Sequence, residues 1–127
     1  MTGGRGFVMS DFQTETTPTA RKQHKCCECY GVIHPGQKYS LVAGCWDGDM
    51  DTFKTCMPCV DARNWATVQP EWGSDGEHLY CFGRLEEDMS YLAPEIRYGD
   101  GRRFHAYRLQ VLMARRRNAG KAIRAAA

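Results

Sequence analysis

The sequence predicts a small α+β fold: a metal-stapled finger made of knuckle, β-hairpin and helix, followed by two more α-helices. Three observations carry that expectation. Two C-x-x-C pairs, Cys26/Cys29 and Cys56/Cys59, stand twenty-six residues apart. Between them, an alternating run and a Trp46-Asp47-Gly48-Asp49 segment mark a hairpin, because Asp-Gly suits a tight two-residue turn. After them come two apolar patterns of helical period, separated by Pro94 and the turn Tyr98-Gly99-Asp100-Gly101.

The chain divides into a flexible N-terminal tail over 1–22, a finger over 23–70, a two-helix extension over 71–118 and a C-terminal tail over 119–127. The first segment is rich in Gly, Thr and Ser and has no periodicity, which reads as a mobile tail. Met9-Ser10-Asp11 is an alternative start. Arg21 to Lys25 forms a short basic approach to the first cysteine pair. Gly31, just after that pair, permits a tight turn that aims backbone N–H groups at the sulfurs, as in a zinc knuckle. Gln37 to Ala43 alternates, with Tyr39, Leu41 and Ala43 on one face, and Asp51 to Thr55 returns antiparallel to it. The second cysteine pair opens a helix, with Thr55 as N-cap and Pro58 in the first turn. Pro70 ends that helix near Val68, and Trp65 is expected to pack back on the hairpin.

Knuckle, hairpin and a ligand-bearing helix, in that order, make a treble-clef zinc finger. The metal ligands it predicts are Cys26, Cys29, Cys56 and Cys59, holding one structural Zn²⁺. Cys27 is an alternative to Cys26 through a C-x-C pair. A disulfide framework is disfavoured by the odd count of seven cysteines and the lack of a secretory signal. Cys45 and Cys81 read as buried thiols. A finger this small buries little core, so the ion would supply about 10 kcal/mol or more of its folding free energy.

The pattern C-x-x-C, Ile33-His34-Pro35-Gly36-Gln37-x-Tyr39, a Trp-Asp-Gly turn, then C-x-x-C on a helix resembles small treble-clef fingers of bacteriophage and prophage proteins. The resemblance covers about residues 24 to 66. It implies a fold, a zinc ion and a phage-type setting in the host cytoplasm, but no activity.

In the extension, Ser74-x-x-Glu77 is a capping box, and Cys81, Phe82, Leu85, Met89 and Leu92 form an apolar stripe that ends at Pro94. The last helix is expected from about Arg102 to Asn118, with Gly120 as its stop. It carries two stripes, one of Phe104, Tyr107, Val111 and Ala114, the other of Leu109, Leu112 and Met113. A helix with two apolar faces can pack on its own domain and on something else, a second copy included.

Charge is divided unevenly. Net charge is +2, yet the last 27 residues contain eight Lys or Arg and no acid. Arg102, Arg103, Arg108, Arg115, Arg116 and Arg117, with Lys121 and Arg124, make a basic segment interleaved with Phe104, His105 and Tyr107. That composition suits a phosphate backbone with stacking platforms. The principal expectation is therefore nucleic-acid binding through the last helix, and the alternative is an adaptor or inhibitor that binds a host protein. A remote third reading is an HNH-like nuclease, for which His34 and Asn64 are the candidates, although the Asp-His pairing and a second helix His are missing. No Ser/His/Asp set, P-loop or dinucleotide motif is present. The Asp47, Asp49, Asp51 cluster does not fit a calcium loop, because Thr52 and Pro58 occupy the places of its Gly and Glu. No apolar run reaches the ~18 residues needed to span a membrane. The free-thiol composition points to a reducing cytoplasm.

Overall fold

The computed structural model describes residues 12–46, 48–72 and 80–126, the side chains of residues 12, 46 and 126 excepted. The capping box at Ser74 and Glu77, Asp47 and the start of the chain lie outside the described residues. A three-stranded antiparallel sheet is ordered β1 (Phe12–Thr16), β4 (Tyr39–Trp46), β5 (Asp49–Cys56). A small second sheet pairs β2 (His24–Lys25) with β3 (Val32–Ile33). The helices among the described residues are α1 (Met57–Ala66), α2 (Leu85–Glu95) and α3 (Gly101–Ala126).

The hairpin forms where the Asp-Gly signal places it. Tyr39 pairs with Cys56 and Trp46 with Asp49, and Gly48 takes the positive φ of 83° that the turn requires. The strands are longer than the sequence suggests, so β5 runs directly into α1. Tyr39 is buried and Leu41 packs on the core, as the alternation implies, but Val42 on the opposite face is fully buried as well. Both faces of the central strand are thus covered.

The expected N-terminal tail contains a strand. Residues Phe12 to Thr16 pair with Cys45 to Leu41 of β4. The polar residues that hid this strand help fix it. Glu15 accepts a hydrogen bond from Ser40 Oγ at 3.0 Å and lies 3.7 Å from the guanidinium of Arg63, a buried residue of α1. The chain then crosses to the finger with Ala20 buried, its N–H donating to the Gln37 carbonyl at 2.8 Å.

The second helix begins later than its apolar pattern, at Leu85. Gly83, at φ 88°, breaks the helical path, and Phe82 instead stacks on Phe53 of β5 at 4.4 Å. Pro94 lies next to the helix end, as expected. α3 starts at an Asp100 cap, whose side chain accepts the Arg102 N–H at 2.9 Å. It then continues through Gly120 to Ala126, so the expected stop and frayed tail are helical instead.

One hydrophobic cluster joins the finger to the extension. Cys26, Cys29 and Cys59 belong to it, together with Tyr80, Leu85, Met89, Ile96, Ala106 and Met113. Trp65 packs against this cluster and meets His105 of α3 edge-on at 4.6 Å.

Candidate metal centre and the outer face of the last helix

The chain brings four sulfurs to one point. Cys26, Cys29, Cys56 and Cys59 are all buried, and their Sγ atoms lie within 4.8 Å of one another. The Cys29–Cys56 separation is 3.8 Å. A tetrahedron with metal–sulfur bonds of about 2.3 Å has an edge of about 3.8 Å, so the donor set fits a divalent ion of zinc's size. Four clustered cysteines of this kind mark a candidate metal-binding site. Hydrogen bonding to Cys26 is the largest influence raising the proton affinity of both Cys56 and Cys59, so the four sulfurs are close enough for the charge on one to oppose charge on the next.

Local backbone geometry explains why these sulfurs converge. The Cys26 carbonyl accepts the Tyr30 N–H at 3.1 Å, and the Cys26 N–H donates to the Gly31 carbonyl at 2.9 Å, closing the knuckle. Its left-handed residue is Tyr30, at φ 62°, and not the glycine beside it. Backbone N–H groups point at the sulfurs, those of Glu28 and Cys56 toward Cys26, each at 3.4 Å, and that of Gly31 toward Cys29 at 3.3 Å. On the other side, α1 delivers Cys59 with Pro58 in its first turn. Thr55 does not cap α1; its hydroxyl meets Cys27 Sγ at 3.4 Å. Cys27 itself stands outside the cluster, and burial pushes its thiol up to about 12. Cys45 and Cys81 are half-buried rather than buried.

Two side chains that the sequence reading did not connect with this centre hold it from outside. Glu28, enclosed by the knuckle and 2 % exposed, accepts hydrogen bonds from Gly83 N–H and Leu85 N–H, both at 3.0 Å, and from the Tyr80 hydroxyl. A carboxylate of the knuckle therefore caps the N-terminus of α2, where the helix dipole favours negative charge. Burial, and then the Glu28 charge, pushes the Tyr80 phenol up. Arg116 of α3 reaches the sulfurs directly, with Nε 3.5 Å from Cys29 and an Nη 3.3 Å from Cys59. No sequence pattern announces either contact, since both join residues more than fifty positions apart.

The six arginines singled out from the sequence do not form one free basic surface. Arg102 is held bidentately by Glu71, at 2.9 and 3.0 Å, and also by Asp100 and Gln69. Arg103 donates to the Ile96 carbonyl and lies over the rings of Tyr98 and Tyr107. Arg116 meets the cysteines, and Arg117 pairs with Glu86. Arg108 and Arg115 are exposed. They share the outer face of α3 with Phe104, Tyr107 and Val111, which are 71, 42 and 49 % exposed. The buried line of α3 runs instead through Ala106, Leu109, Met113 and Gly120. His34 and Asn64, the nuclease candidates, are exposed and outside the sulfur cluster.

No helix among the described residues is long and apolar enough to cross a membrane. No family model matches the chain, nor does any curated protein or solved structure.

Proposed function

We propose that this chain is a zinc-stapled binding module of treble-clef type, in which one structural Zn²⁺ on Cys26, Cys29, Cys56 and Cys59 holds the scaffold and the outer face of α3 meets a partner protein. The observation that carries the reading is the division of labour along α3. Its arginines that face inward are spent on Glu71, Asp100, Glu86 and the sulfurs, while Phe104, Tyr107 and Val111 stay exposed. Aromatic side chains and arginine are the residues that protein interfaces enrich. α3 has no carboxylate, and Arg108 and Arg115 flank the apolar ridge, so the fitting partner surface is apolar with an acidic rim. The resemblance to phage fingers suggests that this partner belongs to the host and that both act in its cytoplasm.

Zinc is tested by metal analysis of purified protein. One zinc per chain supports the reading, whereas a coloured, iron-loaded protein overturns it, since four tetrahedral thiolates also suit iron. The partner is tested with a photo-crosslinking residue at Phe104 and, as control, at Asp61 on α1. A defined protein adduct from position 104 alone, lost in Val111→Asp and resistant to nuclease, supports docking.

A second reading, nucleic acid, draws on the acid-free length of α3. Adducts that disappear with nuclease, together with DNA or RNA binding that falls steeply with salt and needs Arg108 and Arg115, would replace the first reading by the second. An adduct between two copies of the chain would make the face a self-association surface.

A further inference from the structure

The last helix docks against the metal centre, and the contact is close at the backbone level. A Cβ on Gly31 would lie 3.0 Å from both Arg116 Cβ and the Arg116 carbonyl oxygen. A Cβ on Gly120, one turn later, would lie 3.3 Å from Gly31 Cα and from the Tyr30 carbonyl oxygen. Another turn on, Arg124 donates to that same Tyr30 carbonyl at 3.3 Å. Three successive turns of α3 therefore seat on the knuckle, with glycine on each side of the closest approach. This seating aims the Arg116 guanidinium at Cys29 and Cys59, and it is the one cationic side chain hydrogen-bonded to the sulfurs among the described residues.

Electrostatics gives that contact a purpose. A divalent ion on four thiolates leaves two formal negative charges in a buried place. Backbone N–H groups answer part of that charge at Cys26 and Cys29. Arg116 adds a full positive charge, shared between Cys29 of the knuckle and Cys59 of α1, so it bridges the two halves of the ligand set.

We propose that Arg116 is a positioning residue of the metal centre: it tightens zinc binding and shields the Cys29 and Cys59 thiolates from electrophiles. The inference rests on the zinc reading above. Its test compares wild-type protein, Arg116→Met and Arg116→Lys, all zinc-loaded and full length. Zinc affinity is read by competition with a chromogenic chelator, thiolate reactivity by the rate of zinc release under N-ethylmaleimide, and the ligand field by the sulfur-to-metal charge-transfer band after Co²⁺ exchange.

Arg116→Met is expected to weaken zinc binding about 10- to 100-fold, the range seen when outer partners of metal ligands are removed. It should also speed zinc release under alkylation and shift the cobalt band. Arg116→Lys keeps the charge but loses the planar fork, and should fall between the two. An arginine that merely packs would lower the denaturation midpoint and leave chelator competition and alkylation of the folded protein unchanged. That outcome overturns the proposal.

If Arg116→Met does not fold, Arg116→Lys decides, and an affinity and alkylation rate equal to wild type overturn the proposal. Wild-type protein that binds no zinc overturns the zinc reading and this inference together. Zinc-loaded wild type with an equally tight Arg116→Met overturns this inference alone.

Discussion

Replacing Glu28 by alanine tests how the finger is joined to its helices. The carboxylate is nearly sealed from solvent and accepts three hydrogen bonds, from the N–H groups of Gly83 and Leu85 and from the Tyr80 hydroxyl. Leu85 is fully buried, so truncation strands its N–H where water does not readily follow. Each hydrogen bond to a charged group contributes about 1.5–3 kcal/mol, and an orphaned buried donor costs about 1–3 kcal/mol. Loss of a helix cap alone costs about 0.5–2 kcal/mol. Relief of carboxylate desolvation offsets part of this. Taken together, a loss of about 3–5 kcal/mol is expected, a large fraction of the roughly 5–15 kcal/mol that stabilises a domain.

The assay is urea unfolding of the zinc-loaded protein, followed by tryptophan fluorescence. A loss below about 1 kcal/mol with unchanged denaturant slope would refute the reasoning, since the carboxylate would then be a bystander.

Three further outcomes are expected. Cys26→Ser should abolish tight zinc binding, whereas Cys27→Ser should leave one zinc per chain, because Cys27 stands outside the sulfur cluster; metal analysis after dialysis against a weak chelator separates them. Gly120→Ala should destabilise by about 1–2 kcal/mol despite alanine's better helix propensity, because its Cβ would press on Gly31 and the Tyr30 carbonyl; at Gly101 the added Cβ would meet open space, so Gly101→Ala should not destabilise, and urea midpoints report both. Hydrogen bonds from Arg102 hold the Glu71 and Asp100 carboxyls below the usual carboxylate range. Folded values lower than unfolded ones mean a contribution that is present above about pH 4 and is lost as pH falls through the depressed folded values. The stability gap between wild type and Arg102→Ala should therefore be constant near neutrality and close in acid; any loss of metal in acid lowers both proteins alike, so their difference in urea titrations is the readout.

The parts of this fold that could be read from sequence are those decided locally. Cysteines three residues apart share one turn whatever surrounds them, and the β4–β5 hairpin turns where Gly48 stands because the positive φ there suits glycine. Residues 12–16 had no such signature. FQTET looks like solvated chain, and it becomes a strand because β4 offers an edge and because Ser40 and Arg63 meet Glu15, none of which lies nearby in sequence. The arginines of α3 reveal the same limit from the other side. Composition counted eight positive charges on the last 27 residues, but only position in three dimensions separates Arg102, Arg116 and Arg117, which are held by carboxylates and sulfurs, from Arg108 and Arg115, which face solvent.

Gly120 shows the mechanism most clearly. Glycine after a helical run is a common stop signal, because it relieves the left-handed cap that ends many helices. Here it lies within a continuous helix, where its missing Cβ lets α3 approach Gly31 and carry Arg116 to Cys29 and Cys59. The helix pays an intrinsic penalty of about 1 kcal/mol for a glycine in its interior, and it persists because the contact that the glycine permits is worth more than that. Local propensity and tertiary packing give opposite answers at this residue, and packing prevails because the neighbouring knuckle is itself fixed by the four cysteines. The turn that makes the first cysteine pair legible in the sequence thereby creates the surface that overrides the sequence signal at Gly120.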